Sequence, residues 1–339
     1  MRSAPFIIRK LRYPLITLLL YLLSMTAAVA QSTALEALSA VVSLRAEVPA
    51  DARTAEALGT FRAGSGVVID ADGLILTIGY LILEADRVQV SSRDGDFVDA
   101  SIVAYDSATG FGLVRADSAL ELAPIELGES AALSVGDSVL AVGGHGPQPI
   151  VPARVVSRRT YPGYWEYLLE NAILTAPPHP QFGGAALLDV YGRLVGIGSL
   201  VIQDVEEAGV YMPGNMFVPI DALKPILRDL LDSGRTRTPP RPWLGVYVSE
   251  LRGHVIINNV AAGGPADSVG VRANDIIVSV AGESVDGLVD FYRKLWAVGD
   301  AGVKISLGIL RDGEVASVSV PSADRYKWLK LGPHKALSI

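Results

Sequence analysis

Apolar residues recur along most of this chain in short runs broken by turn signals, not at helical spacing. "GSGVVI" (64–69) turns at "DADG" into "LILTIGYLI" (74–82), and "RVQVSS" (87–92) turns at "RDGD" into "FVDASIVAYD" (97–106). "FGLVRAD", "SVLAVGG", "PARVVSRR", "AALLDV" and "RLVGIGSLVI" follow, up to "MFVPI" at 216–220. Short β-type runs at this spacing, with Asp-Gly turns, predict antiparallel strands of a sandwich or barrel. Upstream, the Ala-rich "STALEALSAVVSLRAEV" (32–48) predicts a short helix, followed by a polar loop to residue 60.

The period changes after residue 220. Leu223, Ile226, Leu227, Leu230 and Leu231 share one face of a helix, with Asp221 as its expected cap and Gly234 as its stop. Pro225 falls in the first turn, where a missing N–H is tolerated. "RTRTPPRP" (235–242) is polar and proline-rich, the composition of a semi-rigid linker. A second unit then runs from 243 to 321, with strands "WLGVYVS", "HVIINNV", "DIIVSVAG", "VKISLGILRDG" and "EVASVSV" and a helix "LVDFYRKLWAVG". The tail 322–339 is expected to form a helical turn or two and then fray. The domain reading is therefore 1–30, 31–60, 61–234, 235–242, 243–321 and 322–339.

Residues 1–30 form a segment of their own. Arg2, Arg9, Lys10 and Arg12 precede the apolar run 13–25, and Ala28-Val29-Ala30 has the form of a signal-peptidase site. A cleaved signal peptide and a retained membrane anchor both fit, and both place the rest of the chain in an exported compartment. Membrane association is expected only if this segment is retained. Without it the 29 basic residues fall to 25 against 36 acidic, a net charge of −11. No basic cluster follows, which argues against nucleic acid as a partner. With no cysteine, thiol catalysis, disulfides and Cys-zinc sites are excluded, and no metal or other cofactor is expected.

The order of these segments resembles the HtrA/Deg family of trypsin-fold serine proteases with one PDZ domain. "GSGVVIDADGLILT" (64–77), "LGESAALSVGDSVLAVGG" (127–144), "YGRLVGI" (191–197), "MFVPIDALKPILRDLLDSG" (216–234) and "PWLGV" (242–246) carry the likeness. It implies a mainly β fold: a chymotrypsin/trypsin-like double β-barrel followed by a C-terminal PDZ domain. Such an enzyme needs a Ser nucleophile, a His to take its proton and a carboxylate to orient the His. At the three matching positions this chain has Tyr80, Gly110 and Gly183, with Gln181 and Phe182 just before the last. A phenol with an ordinary pKa near 10 is no general base at neutral pH. Tyr80 and Phe182 read as fillers of the vacated cleft.

Substitutes are few. His145 and His179 are expected as solvated loop residues near the cleft rim; His254 lies in the PDZ region and His334 in the tail. Ser65 and Ser199 read as turn or strand residues. Backbone N–H groups of an oxyanion hole would survive in part, because a Gly at 183 still has one. The resemblance thus implies an inactive member of the family.

The PDZ unit keeps its binding pattern. Trp243-Leu244-Gly245-Val246 matches the loop by which such domains capture a C-terminal carboxylate, and Leu288, Phe291, Tyr292, Leu295 and Trp296 recur on the helix expected to wall the groove. Phe291 and Leu295 are the expected side-chain contacts, and a hydrophobic C-terminal residue is the expected ligand. The family commonly forms trimers, so a homotrimer or a heteromer with another subunit is also implied. Three functions compete: an inert exported binding protein, an active peptidase with displaced residues, and a subunit of an envelope complex whose peptide groove is blocked.

Overall fold

The structure, a computed structural model, describes residues 37–92, 95–206 and 211–331. The signal or anchor segment and His334 lie outside the described residues. Among the described residues no helix is long and apolar enough to cross a membrane.

Two closed barrels come first. The first joins β1 (Val41–Glu47), β2 (Phe61–Val68), β3 (Leu74–Ile78), β6 (Phe111–Ala116), β5 (Val98–Tyr105) and β4 (Arg87–Ser91), in that order around the wall. The turn between β2 and β3 follows from its sequence: Asp70 Oδ1 accepts the amides of Asp72 and Leu74 at 2.9 and 2.7 Å, and Gly73 takes φ +75°. The second barrel joins β10 (Ala186–Leu188), β11 (Leu194–Ile202), β12 (Gly214–Pro219), β9 (Tyr167–Ala176), β8 (Ile150–Gly163) and β7 (Ser138–Val142).

The expected helix over 32–48 is overturned for residues 41–47. They form β1, which pairs with β2 on one side and β4 on the other and closes the first barrel. The reading followed the alanines; Val41, Val42 and Leu44 instead bury against two partner strands, and cross-strand packing outweighs helix propensity. The first barrel therefore begins at 41 and not at 61.

Strands β8 and β9 form a hairpin whose register runs out to Gly163 opposite Tyr167. Its tip holds Tyr164 and Trp165, edge to face at 4.8 Å, and Glu166 in the left-handed region at φ +58°. This tip leaves the barrel and reaches the second unit.

Residues 220–222 make a short 3₁₀ turn, and the helix α1 (Leu227–Ser233) begins later than expected. Asp221 does not cap it. Its carboxylate accepts the Ala131 amide at 2.7 Å, tying down a neighbouring turn. Gly234 does end the helix, at φ +72°.

The PDZ unit is a sheet in the order β13 (Val246–Leu251), β14 (His254–Val260), β15 (Ile276–Val280), β17 (Lys304–Arg311) and β18 (Glu314–Pro321), with β16 (Glu283–Ser284) paired to β15. Helix α2 (Gly287–Ala297) lies against it, burying Leu288, Phe291, Tyr292 and Leu295 at i, i+3, i+4 and i+7. Each such side chain contributes about 1.5–3 kcal/mol by leaving water. Leu168 from β9 belongs to this same buried cluster, so the barrel hairpin is part of the PDZ core.

The tail does not fray before residue 331. Ala323 exchanges backbone hydrogen bonds with Trp243 at 2.9 and 3.0 Å, and a single turn α3 (Arg325–Trp328) follows. From this turn onward the tail packs on the first barrel. The Tyr326 hydroxyl accepts the Ser107 amide and donates to the Tyr105 carbonyl, and the Lys330 amide donates to Glu84.

Candidate functional site

The cleft between the barrels brings Tyr80 and Gly183, two of the three positions that the resemblance matches to a triad, face to face. A side chain added at Gly183 would stand 2.8 Å from the Tyr80 hydroxyl. That hydroxyl donates to the Ser199 carbonyl at 2.9 Å, spanning the two barrels, and burial pushes its pKa well above the ordinary phenol value. The phenol is thus held protonated and used as a donor. Gly110, at φ +85°, accepts the amide of Gly79, the neighbour of Tyr80, at 2.7 Å. The ring of Tyr167 stands nearby, its hydroxyl donating to the Thr109 carbonyl at 2.7 Å.

The loop at 181–185 is fitted closely to the opposite barrel. The Ser65 amide donates to the Gly183 carbonyl at 2.8 Å. Gly184 takes φ +75°, and a Cβ there would come 1.9 Å from the Ser65 carbonyl oxygen, so only glycine fits. The amide of Gln181 donates to His179 Nδ1 at 3.0 Å, and that of Gly184 to the Gly198 carbonyl at 2.9 Å. The first amide is spent on the neighbouring His179 ring and the second on strand β11. Phe182 is partly buried between them.

The two candidate histidines differ from the solvated residues expected. His179 is fully buried, its ring flanked by the Gln181 amide and the Pro149 carbonyl, and its own amide donates to Asn215. His145 is partly buried. Burial holds both below the ordinary histidine pKa. Ser65 is buried in β2, where its hydroxyl accepts the Gly144 amide at 2.9 Å; Ser199 is buried in β11. His254 is exposed on β14 of the PDZ sheet.

The second site is the loop 243–246. Gly245 takes φ +80°, which turns three successive amides to one side. All three meet the carboxylate of Glu166 from the hairpin tip. Leu244 N donates to Oε2 at 2.9 Å, Gly245 N to Oε1 at 2.6 Å and Val246 N to Oε1 at 2.9 Å. Two residues on, Val248 N donates to the Tyr164 carbonyl at 2.8 Å. Glu166 is buried, and the loss of water outweighs the three amides, pushing its carboxyl up to about 7.

Trp243 is buried beside Trp328 of the tail, ring centroids 4.7 Å apart. Phe291 and Leu295 are wholly buried in the PDZ core. Tyr292 between them is the helix residue that meets the hairpin: its hydroxyl donates to the Gly163 carbonyl at 2.6 Å and accepts the Glu166 amide at 3.1 Å. Glu166 belongs to no motif in the sequence. One signal was available: a lone acid within the aromatic "YPGYWEY" at 161–167.

The family of the trypsin-like peptidase domain matches residues 64–197, and that of the PDZ domain matches 242–321. This is a trypsin-like peptidase domain followed by a PDZ domain. Curated relatives include a probable periplasmic serine endoprotease DegP-like of Hahella chejuensis, 28% identical over 76% of this chain and 56% of its own length. Another is the serine protease Do-like HtrA of Bacillus subtilis, 30% identical over 74% of this chain and 61% of its own. The chain is thus homologous to HtrA and DegP proteases and spans little more than half the length of these relatives. Among solved structures, the HtrA-type protease AlgW with decapeptide superposes with a TM-score of 0.53 over 90% of this chain and 99% of that one, at 21% identity. At that identity the likeness is one of fold.

Proposed function

We propose that this chain is a catalytically inert, exported binding protein of HtrA descent, whose PDZ domain takes the C-terminal carboxylate of a peptide or protein partner. The observation that carries the reading is at the cleft. The positions that the resemblance gives to base, orienter and nucleophile hold Tyr80, Gly110 and Gly183, and the phenol of Tyr80 is spent on the Ser199 carbonyl. A buried phenol held protonated accepts no proton from a hydroxyl, and glycine supplies no attacking oxygen. The amide of Gln181, turned onto His179, is withdrawn from any oxyanion as well.

Export rests on the basic-then-apolar N-terminus and on relatives named as periplasmic endoproteases. The binding half rests on the amide loop 244–246, which is built to receive a carboxylate.

The test is to incubate the protein with unfolded casein and a fluorophosphonate probe, beside an active HtrA protease and in the presence of PDZ-ligand peptides. The expected result is neither cleavage nor labelling. Labelling of a serine, lost when that serine becomes alanine, would show a rebuilt peptidase and sink the reading.

A further inference from the structure

The amides that should receive a partner's carboxylate already hold one. We propose that the β8–β9 hairpin is an internal ligand of the PDZ domain: Glu166 stands in for a C-terminal carboxylate, and a free peptide binds only by displacing the hairpin. The inference rests on the peptide-binding half of the proposed function and deepens it.

The imitation extends beyond one charge. A PDZ ligand adds a strand beside an edge strand, and a β-strand turns every second amide to the same side. β13 is the edge of its sheet, and its amides at Val246 and Val248 both donate to the hairpin, to the Glu166 carboxylate and the Tyr164 carbonyl. The carboxylate end and the strand edge are thus engaged together, as a bound peptide would engage them. The apolar requirement is met too, because Leu168 enters the buried PDZ cluster. Tyr292 on the helix side grips the hairpin backbone at Gly163 and Glu166.

The alternative is that Glu166 serves only as a structural brace. Geometry argues against that: a brace needs no strand-edge register, and the tail already fastens the PDZ unit to the first barrel through Tyr326 and Lys330. Every donor of the carboxylate loop is intact and turned the right way. Glu166 takes the left-handed position that closes a three-residue hairpin turn, φ +58°, so the turn itself fixes where its side chain leaves the tip.

The test uses the full protein, its Glu166→Ala variant and, should that fold poorly, Glu166→Asn, whose shorter side chain withdraws from the amides and tolerates the left-handed turn position. The probes are fluorescein-labelled decapeptides ending in Val, Leu or Phe, each also in a C-terminally amidated form. Anisotropy titrations are expected to show the variant binding at least tenfold tighter than the unaltered protein, with amidation abolishing the gain. Hydrogen exchange read by mass spectrometry is expected to be slow at 244–248 in the unaltered protein and at least tenfold faster in Glu166→Ala. Saturating peptide should restore the protection.

Equal peptide affinity in both proteins would overturn the internal-ligand inference and leave the peptide site standing. Unchanged exchange at 244–248 in Glu166→Ala would overturn it as well. Binding by neither protein, with the loop amides exposed in the variant, would instead overturn the peptide-binding half of the proposed function.

Discussion

The barrel cleft and the PDZ loop are both places where the HtrA resemblance expects a ligand, and both are closed, but by different means. At the cleft the closure is made by the walls themselves: Tyr80 bonds across the barrels, Gly184 lies against the Ser65 carbonyl, and the Gln181 amide donates to His179. Nothing there could be undone without changing the sequence. At the loop all three amides are kept and only their occupant is internal. On the proposed reading, a cleft closed by its own walls has lost its chemistry, whereas a loop closed by an internal ligand is held in reserve. The hairpin tip joins the two regions, since Glu166 reaches the PDZ loop while its neighbour Tyr167 reaches the Thr109 carbonyl beside Gly110.

The largest effect should come from forcing the cleft open. Gly184→Ala must place a methyl 1.9 Å from a backbone oxygen and hold a left-handed φ of +75°. Overpacking and the conformational penalty together should cost about 3 kcal/mol or more. For a protein of this size that is a fall of roughly 6–12 °C in the melting temperature of the barrel unit, measured by calorimetry. A fall of under 2 °C would mean that the cleft is not tightly packed and that the contrast with the loop is overstated.

Next comes a change that loosens the loop's occupant without touching Glu166. Tyr292→Phe removes a hydroxyl that donates to the Gly163 carbonyl and accepts the Glu166 amide, leaving both unpaired in a buried place. Unsatisfied groups of this kind cost about 1–3 kcal/mol. That penalty falls on the docked hairpin, so peptide affinity in anisotropy should rise about tenfold for each 1.4 kcal/mol. An unchanged affinity would place Tyr292 in the core alone.

How much of this contrast was legible in the sequence depends on range. The Asp-Gly turn at 70–73, the stop at Gly234 and the apolar face of α2 were visible because each rests on neighbours a few residues apart. Tyr80, Gly110 and Gly183 could be singled out because a motif is local. β1 was misread because its strand character comes from β2 and β4, far along the chain. The Asp221 carboxylate was misread because its partner, the Ala131 amide, is 90 residues away. His179 was expected in solvent because local polarity cannot show that Pro149 and Asn215 would close over it. Glu166 is the extreme case: its partners lie 78 to 80 residues on, in another domain. No periodicity reports such a contact.

A smaller effect should appear with pH. The docked Glu166 carboxyl is pushed up to about 7, against an ordinary value of 4.5, with burial as the first cause and the three amides opposing it. The charged and titratable groups bearing on it are Arg325 from the tail, Tyr292 from α2 and Tyr247 from β13. A carboxyl with a raised pKa takes up a proton on docking, so docking strengthens as pH falls from 7 towards 4.5 and gains nothing below that. Peptide, competing with the hairpin, should therefore bind at least tenfold more tightly at pH 8 than at pH 5. Glu166→Gln should flatten the profile. A profile that keeps its slope in that variant would assign the titration to another group.

The smallest change expected is Tyr80→Phe, and it isolates what the cleft still does. It removes the hydrogen bond to the Ser199 carbonyl while leaving the ring in place. One bond between partly buried groups contributes about 0.5–1.5 kcal/mol, a few degrees at most in melting temperature. Because the phenol bridges two barrels and touches no part of the PDZ loop, peptide affinity and exchange at 244–248 should not move. If they do move, the cleft and the loop are coupled, with Tyr167 beside Gly110 as the connection to examine, and the packing of the cleft would then help to set how firmly the hairpin holds the loop.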